Sequence, residues 1–290
     1  MSDVKMPPRF LAAVLGLLAA SCAGTPGVSG GWTALDSATR ERVDLETMAD
    51  ALAEHDVVFL GEEHDKTVAH ELQFALTRML YERRGDLVIT LEMFERDVDF
   101  DLEDYLDGKL GEEEFLERSR PWGNYEEHYR PVVEWARERG IRVVAGNIPR
   151  PAARRVAYEG IGAVRKEPWM PAEFEAPRDE YFDLFVEAMG GHRPGRDKRL
   201  YNWYSAQCVK DEVMAESIVR WTDGKPTDPI VVHWCGKFHS DRGLGTAARV
   251  QRRRPDWSLG IVTTKSGVRR SELTEDDWRD ADYVWLVPSK

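Results

Sequence analysis

The chain has 290 residues and a formal net charge of −12, which argues against nucleic acid as a partner, since phosphate neutralisation requires clustered Lys and Arg. Its densest basic run, Arg252-Arg253-Arg254, reads as a helix C-terminus, where cations complement the dipole. Three cysteines are too few for a disulfide scaffold; Cys208 and Cys235 are either one bridge or two buried thiols, since pairing depends on geometry.

The first segment reads as a leader. Lys5 and Arg9 precede the uncharged stretch LAAVLGLLAA, which falls short of the roughly 20 apolar residues a membrane-spanning helix needs. Residues 1–21 are therefore expected to be a signal peptide. Leu18-Ala19-Ala20-Ser21-Cys22 resembles a bacterial lipobox, which would leave Cys22 acylated and the mature protein held to a membrane by its lipid. Ala rather than Asp at position 23 favours, by analogy with Gram-negative sorting, the outer membrane. Residues 22–42 then read as a tether and 43–287 as one domain, because no long Gly/Ser- or Pro-rich linker interrupts it.

Within that domain Leu45, Met48, Ala49 and Leu52 recur at helical spacing, with Asp44 as N-cap. VVFLG (57–61) reads as a buried strand. A helix over about 66–83 follows, with Val68, Leu72, Leu76, Met79 and Leu80 inward, then LVITLE (87–92) as a second strand. Val132, Val133 and Ala136 mark a helix stopped by Gly140, leading into IRVVAGN (141–147). PIVVHWCG (229–236), WSLGIV (257–262) and DYVWLV (282–287) complete the strands. Uninterrupted apolar runs suit a parallel sheet covered on both faces, and alternation with helices predicts an α/β fold with right-handed crossovers. Stretches 97–130 and 150–222 lack strands and are expected to form a smaller all-α subdomain or lid.

Ligands of open parallel sheets collect beyond the carboxyl ends of the strands, and the residues there are polar. The first strand ends in Gly61-Glu62-Glu63-His64-Asp65, the second at Glu92, the third at Asn147, and the fourth is followed by Gly236-Lys237-Phe238-His239. Two G-x-x-H motifs at two strand ends are the sharpest chemical signal: Gly for a tight turn, His and Glu as ligands of a divalent metal or as a base for water. Glu62, His64, Glu92 and His239 are thus candidate metal ligands and, for a hydrolase, candidate catalytic residues, with His64 and His239 expected to share a pocket. Asp65 could instead cap its helix. His70 and His128 read as partly exposed helix positions, His192 as a loop residue, and His233 with Cys235 as a core pair on one strand face. The aromatic residues Trp122, Tyr125, Tyr129 and Trp135, then Tyr201, Trp203 and Tyr204, fall in the helical stretches and suit either core packing or an apolar pocket with a Tyr oxygen for ferric iron.

Taken together, DVVFLGEEHD, LEMFERD and YRPVVEWARERGIRVVAGNIPR, with AQCVKDEVMAESI and GKFH further on, resemble the ChaN-like family of haem-binding, iron-regulated lipoproteins, in a clan with Tiki-type metalloproteases and erythromycin-esterase-like enzymes. The resemblance implies a large α/β domain with a smaller helical one and haem held by a tyrosine between the chains of a homodimer. The ligand would be one of Tyr125, Tyr129, Tyr201 and Tyr204, with Tyr129 the first choice. Lys210 stands where some relatives carry Arg, and Lys237 and Phe238 occupy the second G-x-x-H. The other reading of the chain is a metal-dependent hydrolase.

Overall fold

The computed structural model describes residues 28–190, 198–222 and 229–289; the expected signal peptide, Cys22 and His192 lie outside them. In chain order the strands are β1 (Thr33–Asp36), β2 (Arg42–Val43), β3 (Val57–Glu62), β4 (Leu87–Glu95), β5 (Arg142–Asn147), β6 (Ile230–Gly236), β7 (Leu259–Ser266) and β8 (Tyr283–Val287). The helices are α1 (Leu45–Leu52), α2 (Thr67–Arg84), α3 (Asp99–Leu106), α4 (Glu112–Ser119), α5 (Arg130–Arg139), α6 (Arg150–Glu159), α7 (Glu180–Ala188), α8 (Lys198–Thr222), α9 (Gly245–Arg253) and α10 (Glu275–Arg279).

The eight strands of the described residues join one sheet in the order β2-β1-β8-β7-β3-β6-β4-β5. The six from β8 to β5 run parallel, and β1 lies antiparallel to β2 and β8. The expected α/β class with a mostly parallel sheet is what the chain forms. The strand pair β1 and β2 is an addition, since 22–42 reads as a tether in sequence: the four residues of TALD give too short a run to stand out from their loop.

β3, β4 and β6 are buried along their whole length, as parallel strands covered on both faces must be. Alternate residues feed opposite cores. Val58, Leu60, Val232 and Trp234 meet α1, α2 and α5 on one face, while Val57, Phe59, Val231 and Cys235 meet α8 and α9 on the other. Stretch 97–130 is not a separate body, because Leu102, Tyr105, Phe115, Tyr125 and Tyr129 pack into the first of these cores. Stretch 150–222 does build small cores of its own, around Val156 with Val209 and Val213, and around Tyr181 with Tyr204.

Several local expectations hold. Asp44 caps α1 by accepting from the Thr47 N–H at 2.7 Å, and Gly140 ends α5 at φ 64°. Arg252 and Arg253 close α9, but both also pair with the fully buried Glu212 of α8. Asp65 is no cap: α2 starts after Lys66, which makes no capping bond, and Asp65 pairs with that lysine at the surface. Cys208 and Cys235 are two buried free thiols.

The topology places a site. From β3 the chain crosses to β4 on one side, and from β6 it returns to β7 on the other side of β3. Connections leaving the carboxyl ends of β3 and β6 therefore diverge and open a crevice between them.

Candidate functional site at the strand ends

Glu62 closes β3 and is buried. Its Oε1 accepts from the Tyr129 hydroxyl and from His64 Nδ1, the latter at 2.8 Å. Burial opposes charge on this carboxyl, yet neighbouring His70 and the His64 hydrogen bond hold it below the usual carboxylate range. The same bond, with the charge of Glu92, raises His64 above its ordinary value against the effect of burial. His64 is half exposed, with 47% of its side chain accessible, and stands edge-on to Trp122 at 4.8 Å. Its Nδ1 is engaged by Glu62, and Nε2 has no hydrogen bond among the described residues.

Facing this pair is a second histidine–carboxylate assembly. The buried His239 points Nδ1 at Asp211 Oδ1 at 2.6 Å and Nε2 at Glu92 Oε1 at 3.3 Å. Asp211, in the middle of α8, also accepts from Thr246 and Tyr181, each at 2.9 Å. Glu92 Oε2 accepts the Gly236 N–H at 2.7 Å. Burial alone would strip the proton from His239, but Glu92 and Asp211 raise it to about 9, so at neutral pH it is an imidazolium clamped between two carboxylates. His239 in turn holds Glu92 far below the usual carboxylate range despite burial.

The four strand-end candidates Glu62, His64, Glu92 and His239 therefore line one pocket of about 330 Å³, together with Gln207, Lys210, Lys237 and an apolar rim of Phe185, Ala188, Met189 and Phe238. They are paired histidine to carboxylate. Among the described residues no three His, Cys, Asp or Glu side chains are grouped to hold a metal ion. Glu92 lies inside a strand that runs on to Glu95, in the stretch where its pairing with β5 shifts register. Asn147 is buried and caps its own loop by accepting from Ile148 N.

The glycines of the two G-x-x-H motifs serve space rather than a left-handed turn, for neither Gly61 nor Gly236 has positive φ. A Cβ on Gly236 would lie 2.9 Å from the His64 ring, and one on Gly61 would lie 3.0 Å from the Lys237 backbone. Each motif's glycine makes room for a residue of the other, across strands paired Glu62 to Gly236.

The four tyrosine candidates are buried or partly buried away from this pocket, and the Tyr125 hydroxyl has no hydrogen-bond partner among the described residues. Tyr129 lies beneath Glu62, where burial and then the Glu62 charge raise its phenol above the ordinary value, so it is a neutral donor. Tyr125 is buried against Phe94 and Phe115. Tyr201 donates to the Ala176 carbonyl, and Tyr204 packs against Tyr181 and Phe182. None of the four lines the strand-end pocket. Among the described tyrosines, Tyr158 on α6 stands out as 63% exposed.

His70 and His128, expected to be partly exposed, are buried and stacked on each other at 4.2 Å. The sequence carries a signal for this: His70, Gln73 and Thr77 share the inward stripe of α2 with Leu76 and Leu80. His233 is a core residue as expected, bonded through Nδ1 to Thr90 at 2.7 Å and lowered to about 4 by burial. Asp211 was not singled out from the sequence. Its signal is a charged pair, Asp211-Glu212, set among Cys208, Val209, Val213 and Met214 on a helix.

A doubly wound sheet with a charged, half-apolar pocket at the strand ends defines a ligand-binding or catalytic α/β protein. Residues 48–250 match the model of the family described as haem-binding uptake, Tiki superfamily, ChaN, and the chain belongs to that family. A solved structure described as cofacial heme binding to ChaN of Campylobacter jejuni shares the fold, with TM-score 0.69 and 18% identity over 88% of this chain and 96% of that one. A mutant of the erythromycin esterase EreC, in its open conformation, aligns at TM-score 0.48 and 15% identity over 82% of this chain and 77% of its own. The chloroplastic protein RETICULATA-RELATED 5 of Arabidopsis thaliana is 24% identical over 81% of this chain. The chain spans about a third of that curated relative, 34% of its length.

Proposed function

We propose that this protein binds haem at the cell envelope in the service of iron uptake, carried there by a lipid on Cys22. The observation that carries the reading is the family match over residues 48–250. The pocket supports it through its donor set. A metal-ligating histidine characteristically gives its other ring N–H to a carboxylate, as His64 does to Glu62, and the rim of Phe185, Met189 and Phe238 suits a porphyrin face. Bound haem would supply an iron that accepts a nitrogen donor, and this chain offers His64 Nε2. Lys210 stands at the same pocket for a propionate.

Titration of the protein from residue 23 onward with hemin, followed by the Soret band, tests the reading; absence of saturable binding sinks it. Sedimentation with and without hemin reads whether a second copy joins, as the family resemblance implies. Gly236→Ala is expected to push the imidazole off its seat, since a Cβ there meets it at 2.9 Å. Hemin affinity should fall about tenfold, as for loss of a supporting contact, with the melting temperature nearly unchanged because His64 is half exposed. Cys22→Ser is expected to abolish palmitate labelling in cells; labelling at wild-type level would remove the lipid anchor from the proposal. Among the described residues no helix is long and apolar enough to cross a membrane.

One observation favours a second reading, hydrolysis: a histidine backed by a carboxylate with its other nitrogen open is the arrangement of a general base. Ester hydrolysis by purified protein, lost in Glu62→Gln while hemin binding is absent, would select it. Activity dependent on added divalent metal would select its metal-assisted form.

A further inference from the structure

The segment that follows Cys22 joins the fold at a definite place. β1 runs antiparallel to β8, with Thr33 opposite Leu286, so the residues before Thr33 stand at the carboxyl end of the parallel strands. They are fixed there. Val28 packs against the first core, the Ser29 N–H and hydroxyl donate to Glu71 at 2.6 and 2.8 Å, and Gly30 lies against Val68 and Pro288. The point of entry and the pocket belong to one bonded surface. Lys66 donates to the Ser289 carbonyl at 3.0 Å and stands two residues from His64 of the pocket. Glu63, beside His64, accepts from Lys237 of the second G-x-x-H and from Ser266 at the end of β7. Cys22 is six residues from Val28, and an extended chain covers at most about 3.6 Å per residue, about 22 Å in all. A domain of this length is about 45 Å across. A bilayer that holds a lipid on Cys22 is therefore out of reach of the amino end of the sheet.

We infer that the strand-end face is the side of the protein that lies against the membrane, with the pocket mouth turned to the bilayer, so that the pocket takes its ligand from the bilayer. The inference rests on the reading of Cys22 as the lipid-bearing residue and is independent of which side chain holds the ligand. The face carries residues suited to an interface. Met189, 44% exposed, borders the pocket with Phe185 and Phe238, and Trp122 stands beside His64, an aromatic type that settles at headgroup level. Asp65 and Glu127, largely exposed, flank the same loops, so attraction to anionic lipid is not what holds the face there. The short attachment of the anchor is.

The test uses lipidated protein purified from cells and reconstituted in phosphatidylcholine vesicles that contain a lipid with a nitroxide headgroup. A fluorescent thiol label is placed by Asp65→Cys at the strand-end face or by Glu138→Cys near the amino end of β5, where the side chains are 79% and 73% exposed. With Cys22 occupied by lipid and Cys208 and Cys235 buried, the new thiol is the one that reacts. Quenching should be several-fold stronger at position 65 than at 138. Equal quenching, or stronger quenching at 138, overturns the orientation. A Gly/Ser spacer of about 60 residues after Gly27, spanning about 45 Å, should erase the difference; a difference that persists overturns the short attachment as its cause. Hemin loaded into the vesicles should pass to the anchored protein several-fold faster than to the spacer variant, and equal rates overturn uptake from the bilayer. If the protein binds no hemin, the haem reading fails while the labels still decide the orientation. If Cys22 carries no lipid in cells, that reading fails and the inference with it, whereas lipidated protein with equal quenching overturns the inference alone.

Discussion

His64→Ala is expected to weaken hemin binding by at least about a hundredfold, or ~2.7 kcal/mol, and to shift the Soret band. Porphyrin burial on the Phe185, Met189 and Phe238 rim would survive the substitution, at roughly 25 cal/mol per Å² of apolar surface. What would be lost is the nitrogen donor proposed for the iron. Tyr125→Phe, Tyr201→Phe and Tyr204→Phe should leave the spectrum unchanged, because those phenols lie away from the pocket. Spectra of the ferric complex before and after each substitution provide the measurement. If His64→Ala binds normally while Tyr158→Phe loses the complex, the iron is held on the exposed face of α6 and the pocket serves another purpose.

The stability of the fold should depend steeply on the clamp around His239. Its imidazolium stands between Asp211 and Glu92, all three buried, so His239→Ala leaves two carboxylates facing each other without their cation. Breaking a buried ion pair by deleting one partner costs about 3–5 kcal/mol. The same clamp predicts a pH dependence in the unmodified protein. Folding raises His239 to about 9 from an ordinary 6.5. The group therefore contributes stability that is fully present below pH 6.5 and is lost as pH rises through 9. At about 1.4 kcal/mol per pH unit the contribution is about 3 kcal/mol. Glu62 and Glu92, both held below the usual range, act oppositely, with stability present above about pH 4.5 and lost in acid. Urea unfolding at pH 6, 8 and 10 measures the alkaline limb. A flat response across that range would mean that the imidazolium is not held as described. Loss of hemin binding in His239→Ala would accordingly be read against its unfolding midpoint, since this residue's two nitrogens are both occupied by carboxylates and offer nothing to a ligand.

The sheet and the meeting of Glu62, His64, Glu92 and His239 were legible because strands buried on both faces write continuous apolar runs, and the polar residues that interrupt or follow them stand out. Asp211 was not legible by that rule. It reaches His239 from the middle of α8, where its signal, a charged pair within an apolar run, does not say which element it faces. His70 and His128 read as ordinary helix positions in sequence because a histidine's burial depends on what other elements bring to it, here Glu62 beside His70 and Thr67 beside His128. The role of the glycines was legible in kind but not in mechanism. Spacing suggested turns, whereas the requirement is lateral clearance between two neighbouring strands. Tyrosine ligation is what the family resemblance implies, and a resemblance does not say which hydroxyl would serve.

That clearance has a consequence for how the chain folds. β3 and β6 pair in parallel with Glu62 opposite Gly236, and Glu63 and Lys237, joined at 2.6 Å, are 174 positions apart in sequence. Parallel strands so distant must find their alignment late and against many near alternatives, and a slip of one residue exchanges the faces of every side chain. Here a slip would also bring Leu60 or Glu62 to the place where only Gly61 lets the Lys237 backbone pass. The pair of motifs thus works as a ratchet on assembly. The native alignment is the one that leaves the Lys237 backbone clear at Gly61, and it is also the one that brings the residues of the pocket together.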